Sequence, residues 1–191
     1  MCCANLRRWE TASSGALLAL VIGIVREPEG VPPAKPKEGV LSRMIGSELA
    51  EAGESPTARV LQFTEGEANA YLRTALKSKS AGWLPGSQFE RAFVRFEPGS
   101  VYVGIEQSFF GFPLFSGARY DIGVKEGKFY AKNQGGNIGR ISVDPFLMKY
   151  AVAAFQPLWT TLKRESDQIQ AMQNVAMDKG RIGFVTKGRG R

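Results

Sequence analysis

Histidine is missing from this 191-residue chain, and that absence excludes more chemistry than any other feature of the composition. Histidine is the usual general base, proton shuttle and transition-metal ligand near neutral pH, so Ser-His-Asp and Cys-His catalysis have no place here. Cysteine is almost as scarce. The two copies, Cys2 and Cys3, are adjacent and lie ahead of the body of the chain, so they cannot staple the fold, and neighbouring thiols make a poor metal site without further ligands. Acylation at a membrane face is the specific chemistry open to such a pair, and an incidental presence is the plainer reading. The chain also lacks an internal repeat, and its 22 glycines follow no triplet rule, which excludes collagen-like readings. No catalytic residue, cofactor or metal is expected.

What is present is enough apolar material for one proper core, at 43% hydrophobic content. The formal charge of +7 would suit nucleic acid or an anionic membrane, yet the basic residues are spread along the whole chain, as on a solvated surface. Lys187, Arg189 and Arg191, separated by glycines, form a basic tail too short to define a specific site. No specific nucleic-acid partner is expected.

One long hydrophobic run exists. Arg7 and Arg8 precede an uncharged stretch from Thr11 to Val25 whose apolar heart begins at Ala16, the layout of a secretory signal or membrane anchor. The stretch is shorter than the roughly 20 residues of a typical spanning helix, and no A-x-A-like site follows it, so an uncleaved anchor is favoured over a cleaved signal; a buried core helix is the other reading. The positive flank places the bulk of the chain outside the cytoplasm. Pro28, Pro32, Pro33 and Pro36 then mark an extended spacer. The expected organisation is an anchor or signal segment over 1–26, a Pro-rich spacer over 27–39, a single α+β domain over 40–186 and a basic tail over 187–191.

Within the domain, Val40 to Leu49 reads as a short helix and Ala52 to Pro56 as a loop. Val60 to Phe63 reads as a strand. Thr64 with Glu67 three residues on is a capping box, and Ala68, Leu72, Ala75 and Leu76 continue it as an amphipathic helix. From Arg91 to Ala131, apolar and polar residues alternate with period two. Val94, Val103 and Ile122 fall on one face, Gly104 and Asp121 on the other, and turns are marked by Pro98-Gly99 and Gly127. An antiparallel meander follows, curved around something on its apolar side. Phe109 to Phe115 interrupts it with four phenylalanines around Gly111 and Pro113. These rings either close one end of the core or form an exposed tip that dips into a bilayer or gates a groove.

Asp144 and Pro145 give a strong helix start, with Val143 placed to staple against Met148. Leu147, Ala151, Ala154, Leu158 and Leu162 recur at helical spacing, so a long helix is expected from Asp144 to Met177, kinked at Pro157 and ended by Gly180. A last short strand runs from Arg181 to Thr186.

Phe63-Thr-Glu-Gly-Glu-Ala-Asn-Ala-Tyr-Leu72, and Gly139-Arg-Ile-Ser-Val-Asp-Pro145 followed by the helix and Gly180-Arg-Ile182, resemble motifs of uncharacterised bacterial proteins with an N-terminal anchor. Those proteins are in turn similar to the tubular lipid-binding (TULIP-like) domains. The resemblance covers roughly Val60 to Thr186. It implies a bent antiparallel meander wrapped around the long C-terminal helix, with the capped helix before the sheet and an apolar groove; it supplies no catalytic residues. The function expected is therefore a membrane-tethered, extracytoplasmic module of the bacterial envelope that binds or passes a lipid or other apolar small molecule. Its groove would be lined by Val94, Val103, Ile105, Ile122, Leu147, Ala151, Ala154 and Leu158, with binding resting on apolar burial. The alternative is a ligand-free structural or partner-binding envelope protein. Two further classes are weaker. Asp121, Asp144, Asp167 and Asp178 offer carboxylates, but no spacing unites them for acid/base work, and the alternation of Arg91 and Arg95 with aromatics is explained by a half-buried strand.

Overall fold

A computed structural model describes residues 22–33, 44–77, 86–151 and 155–188. Cys2, Cys3, Arg7, Arg8, the apolar run up to Val21, Ala154 and tail residues 189–191 lie outside the described residues. Among the described residues no helix is long and apolar enough to cross a membrane.

Period-two alternation yields the expected antiparallel sheet. Strands β2 (Ser87–Glu97), β3 (Ser100–Phe109), β4 (Phe112–Lys125), β5 (Lys128–Ile138) and β6 (Ile141–Val143) pair in chain order. Register shifts between Phe89 and Arg91 on β2 and between Ala118 and Tyr120 on β4 mark irregularities of the kind that bend strands. A second, three-stranded sheet takes β1 (Val60–Thr64), β8 (Arg181–Val185) and β7 (Asn174–Asp178), with β8 in the middle. The two sheets meet at the β2–β3 turn, where Gly180 N donates to Phe96 O (3.0 Å) and Gly99 N to Met177 O (3.4 Å). The fold is thus α+β, with a five-stranded and a three-stranded antiparallel sheet.

Helix α1 spans Ile45–Glu54 and α2 spans Glu65–Leu76. α1 runs past its expected end at Leu49, because Ala52, read as loop, is buried on the same face as Ile45 and Leu49; the first part of the expected helix, 40–43, lies outside the described residues. α2 starts on the capping box: Thr64 N donates to Glu67 Oε2 at 2.8 Å and Glu67 N to Thr64 Oγ1 at 3.2 Å. The same helix covers the edge of the sheet. Asn69 satisfies both backbone groups of Val94 (2.9 and 2.7 Å), and Glu65 accepts from Phe96 N at 3.0 Å, so β2 does not present a bare edge there.

The long C-terminal helix is corrected. It is replaced by α3 (Pro145–Ala151), α4 (Gln156–Thr161) and α5 (Lys163–Gln170), after which the chain turns into β7. Asp144 caps α3 as expected, accepting from Phe146 N at 2.8 Å. Pro157 falls in the first turn of α4, where its missing N–H removes no helical bond. Past Gln170 the side chains alternate: Val175 and Met177 are buried, Asn174, Ala176 and Asp178 exposed. Val175 and Met177 therefore form a strand against Phe184 and Ile182 of β8. Gly180, at φ +76°, shapes the β7–β8 turn, so it closes a hairpin and no helix.

Two buried clusters result. One joins Leu72 and Leu76 to Ala92, Val103, Ile105 and Ala118 of the large sheet and to Met148, Phe155 and Leu158. The other gathers Ile45, Leu49, Phe63, Phe96, Met172, Val175, Met177, Ile182 and Phe184 around the small sheet. Val94 and Val101 pack against both.

The far face of the large sheet is not simply wet. Phe93, Tyr102 and Phe115 form a third cluster there, joined by Val31 from the Pro-rich segment. That segment, expected as a spacer, docks as a strap: Pro32 O, Glu29 O and Glu27 O accept from Arg91, Arg95 and Arg140 at 2.7, 2.8 and 3.0 Å.

Candidate functional site

Along the seam between the two principal clusters lies a groove of about 540 Å³. The large sheet supplies its floor through Val94, Phe96, Val101, Val103, Tyr120, Ile122 and Phe129, Phe63, Ile182 and Phe184 close one end, and α1, α2, α4 and α5 wall it. Its opening follows from α5, none of whose residues is buried. Ala131 of β5 and Gln170 of α5 are exposed at the mouth. The volume matches that of pockets holding small organic ligands.

The polar groups of the groove are few. Tyr71 Oη donates to Glu165 Oε1 at 2.5 Å, tying α2 to α5. Burial pushes the Tyr71 hydroxyl up to about 12, helped by the hydrogen bond to Glu165 and by the charge of that carboxylate. Burial likewise raises Tyr120, whose ring meets Trp159 edge-on at 6.1 Å. Both hydroxyls stay protonated at neutral pH and serve as hydrogen-bonding groups.

The expected lining residues separate into four groups. Val94, Val103 and Ile122 come together on the groove floor. Ile105 and Leu158 are buried in the first cluster, away from the groove. Leu147 is corrected: it is 55% exposed, beside an exposed Phe146, while Met148 is buried. The buried stripe of this region runs through Met148, Phe155 and Leu158, displaced from the line through Leu147. The Ala151 side chain and Ala154 lie outside what is described. Sequence reasoning missed Tyr71, Phe63, Phe184, Trp159 and Ile169. The amphipathic pattern of α2 could have pointed to Tyr71; Phe63 and Phe184 converge only through the pairing of the small sheet, and Trp159 and Ile169 only through the placing of α4 and α5 over the large sheet.

Two other hollows offer less. One of about 550 Å³ under the strap holds Arg95, Arg119 and Arg140. Arg95 and Arg119 share Glu97 at 3.5 and 3.3 Å, and Arg140 holds a strap carbonyl, so these cations are committed within the fold. The other, of about 970 Å³, is a cleft between α1 and α5 whose lining mixes Leu49 and Met172 with Lys163, Arg164 and Asp167. Among the described residues no three acidic or thiol side chains converge as a metal site would require. No protein-family model and no curated protein matches the chain. The chemistry of the groove is accordingly the basis for a functional reading: it can take apolar surface out of water.

Proposed function

We propose that this protein is a membrane-tethered, extracytoplasmic module that binds or passes a lipid or other apolar molecule, and that the groove over Val94, Val103 and Ile122 is where the molecule lies. The observation that carries this reading is a 540 Å³ space walled by aliphatic and aromatic side chains from both sheets and four helices. Each Å² of ligand surface withdrawn from water there contributes about 25 cal/mol. The tether is the apolar run before Ile22, and the compartment follows from Arg7 and Arg8 ahead of it. On this reading the meander, bent at its irregularities and facing the 145–170 helical stretch, is the tubular lipid-binding arrangement that the sequence resembles. It acts by binding, without catalysis or cofactor.

The test pairs an extraction with a substitution. Protein purified from membranes yields a lipid in organic extracts, identified by mass spectrometry. Ala131→Trp, which places an indole across the groove mouth, reduces that lipid to less than about half while changing stability by less than about 1 kcal/mol, because the ring occupies open space. A wild type free of lipid, together with a variant destabilised by about 1–3 kcal/mol through overpacking, would instead support the ligand-free envelope protein.

A further inference from the structure

The β3–β4 hairpin ends in Phe109-Phe110-Gly111-Phe112, and its tip is built against its own stability. Phe110 and Gly111 both have positive φ, +48° and +83°, the backbone of a tight primed turn, for which Asn-Gly is the favoured pair. A phenylalanine at the first position is strained, and this one is also 77% exposed, with Phe112 at 64%. Of the four rings, Phe115 is buried on the strap face of the sheet, so the exposed pair is distinct from any core-closing role.

A second observation gives this tip a direction. The strap joins the body at the β5–β6 turn, where Arg140 N donates to Gly23 O at 2.8 Å and Gly139 N to Phe115 O at 2.7 Å. Phe115 is three residues along β4 from Phe112, about 10 Å of strand. The chain immediately ahead of Ile22 is the apolar run Ala16 to Val21. Gly23, two residues after the run in sequence, therefore sits toward the end of the sheet that carries the two exposed rings, with the β4–β5 turn at Glu126-Gly127 at the opposite end.

We propose that Phe110 and Phe112 insert into the lipid surface beside the tether, holding the sheet end-on to the bilayer through a second contact. This rests on the tethered reading above. Aromatic rings at the headgroup boundary bury their faces and tolerate the polar backbone of a turn.

The test uses the full chain reconstituted in vesicles of phosphatidylcholine and phosphatidylglycerol, with and without brominated acyl chains. Phe110→Trp adds an emission, taken as the difference from wild type, that is blue-shifted and loses more than about half its intensity to bromine, as expected for a ring at interfacial depth. Lys128→Trp at the opposite end adds an emission that bromine leaves unchanged. If the protein floats with the vesicles but the added emission at 110 is unquenched, the second contact is overturned and the tether stands. A blue shift without quenching means that the ring lies against protein, such as a second copy of this chain, and overturns it equally. Failure of the wild type to float removes the tether, and the proposal falls with it.

Discussion

Gly104 and Gly117 show what single residues decide in this sheet. A Cβ at Gly104 would run into the Phe93 ring and one at Gly117 into the Tyr102 ring, so each aromatic lies across a glycine on the neighbouring strand and covers its bare backbone. Gly104→Ala is expected to destabilise the fold by about 1–3 kcal/mol, since Phe93 is itself buried under the strap and has nowhere to move. On the groove side, Val103→Asp buries a carboxylate without a partner and is expected to cost about 3 kcal/mol or more, whereas Asp121→Asn, which loses only an exposed bond from Gln134, should change stability by about 0.5 kcal/mol or less. Urea melts decide both. Equal losses at 103 and 121 would mean that the faces are not distinguished as described. The inward side of Val94, Val103 and Ile122 was legible because period two is a local property. The aromatic cover on the other side was not, because a glycine in a strand reads as weakness until the ring across from it is known.

At the scale of elements, start signals were read well and stop signals poorly. The Thr64–Glu67 box and the Asp144 cap are each made within a few residues, and the structure contains both. The end of the C-terminal helix depends on β8, which offers Gln173 to Asp178 a strand to pair with 3 to 12 residues later; a short stretch containing Met172 and Met177 fits helix or strand until that partner is placed. What then holds the short α5 in position is Tyr71 to Glu165. This bond has a pH consequence. The folded state keeps the Tyr71 proton up to about 12 while an unfolded tyrosine loses it near 10. Between those values the unfolded chain binds fewer protons, so stability falls as pH rises. Tyr102 and Tyr120 are raised by burial and act in the same direction. The Tyr71 contribution is about 1–2 kcal/mol after allowance for solvent screening, fully present below pH 10 and lost through pH 12. Tyr71→Phe should flatten that part of the stability curve, and an unaltered alkaline slope would remove Tyr71 as its source.

For the whole molecule, the decisive contact joins distant parts of the chain: a Pro-rich segment whose composition predicts a free spacer lies down on the sheet. Composition could not show this, because the acceptors are main-chain carbonyls of Glu27, Glu29 and Pro32, which every sequence possesses, and the donors are arginines 59 to 113 residues away. The strap shields Phe93 and Tyr102 through Val31, and its start is set at the β5–β6 turn by the Arg140 amide on Gly23. A chain begun at Lys35 keeps both principal clusters, since neither draws on the strap, and is expected to fold. It gives up Val31 and three charged hydrogen bonds on the sheet's outer face, and should be less stable than a chain begun at Ile22 by about 1–3 kcal/mol. Guanidinium melts of the two chains measure the difference, and Arg140→Ala in the longer chain should reproduce part of the loss by releasing the Glu27 carbonyl. Equal stability would show that the strap rests on the sheet without holding it. A loss in the expected range makes residues 22–33 part of the domain, with the sheet's outer face covered by its own chain.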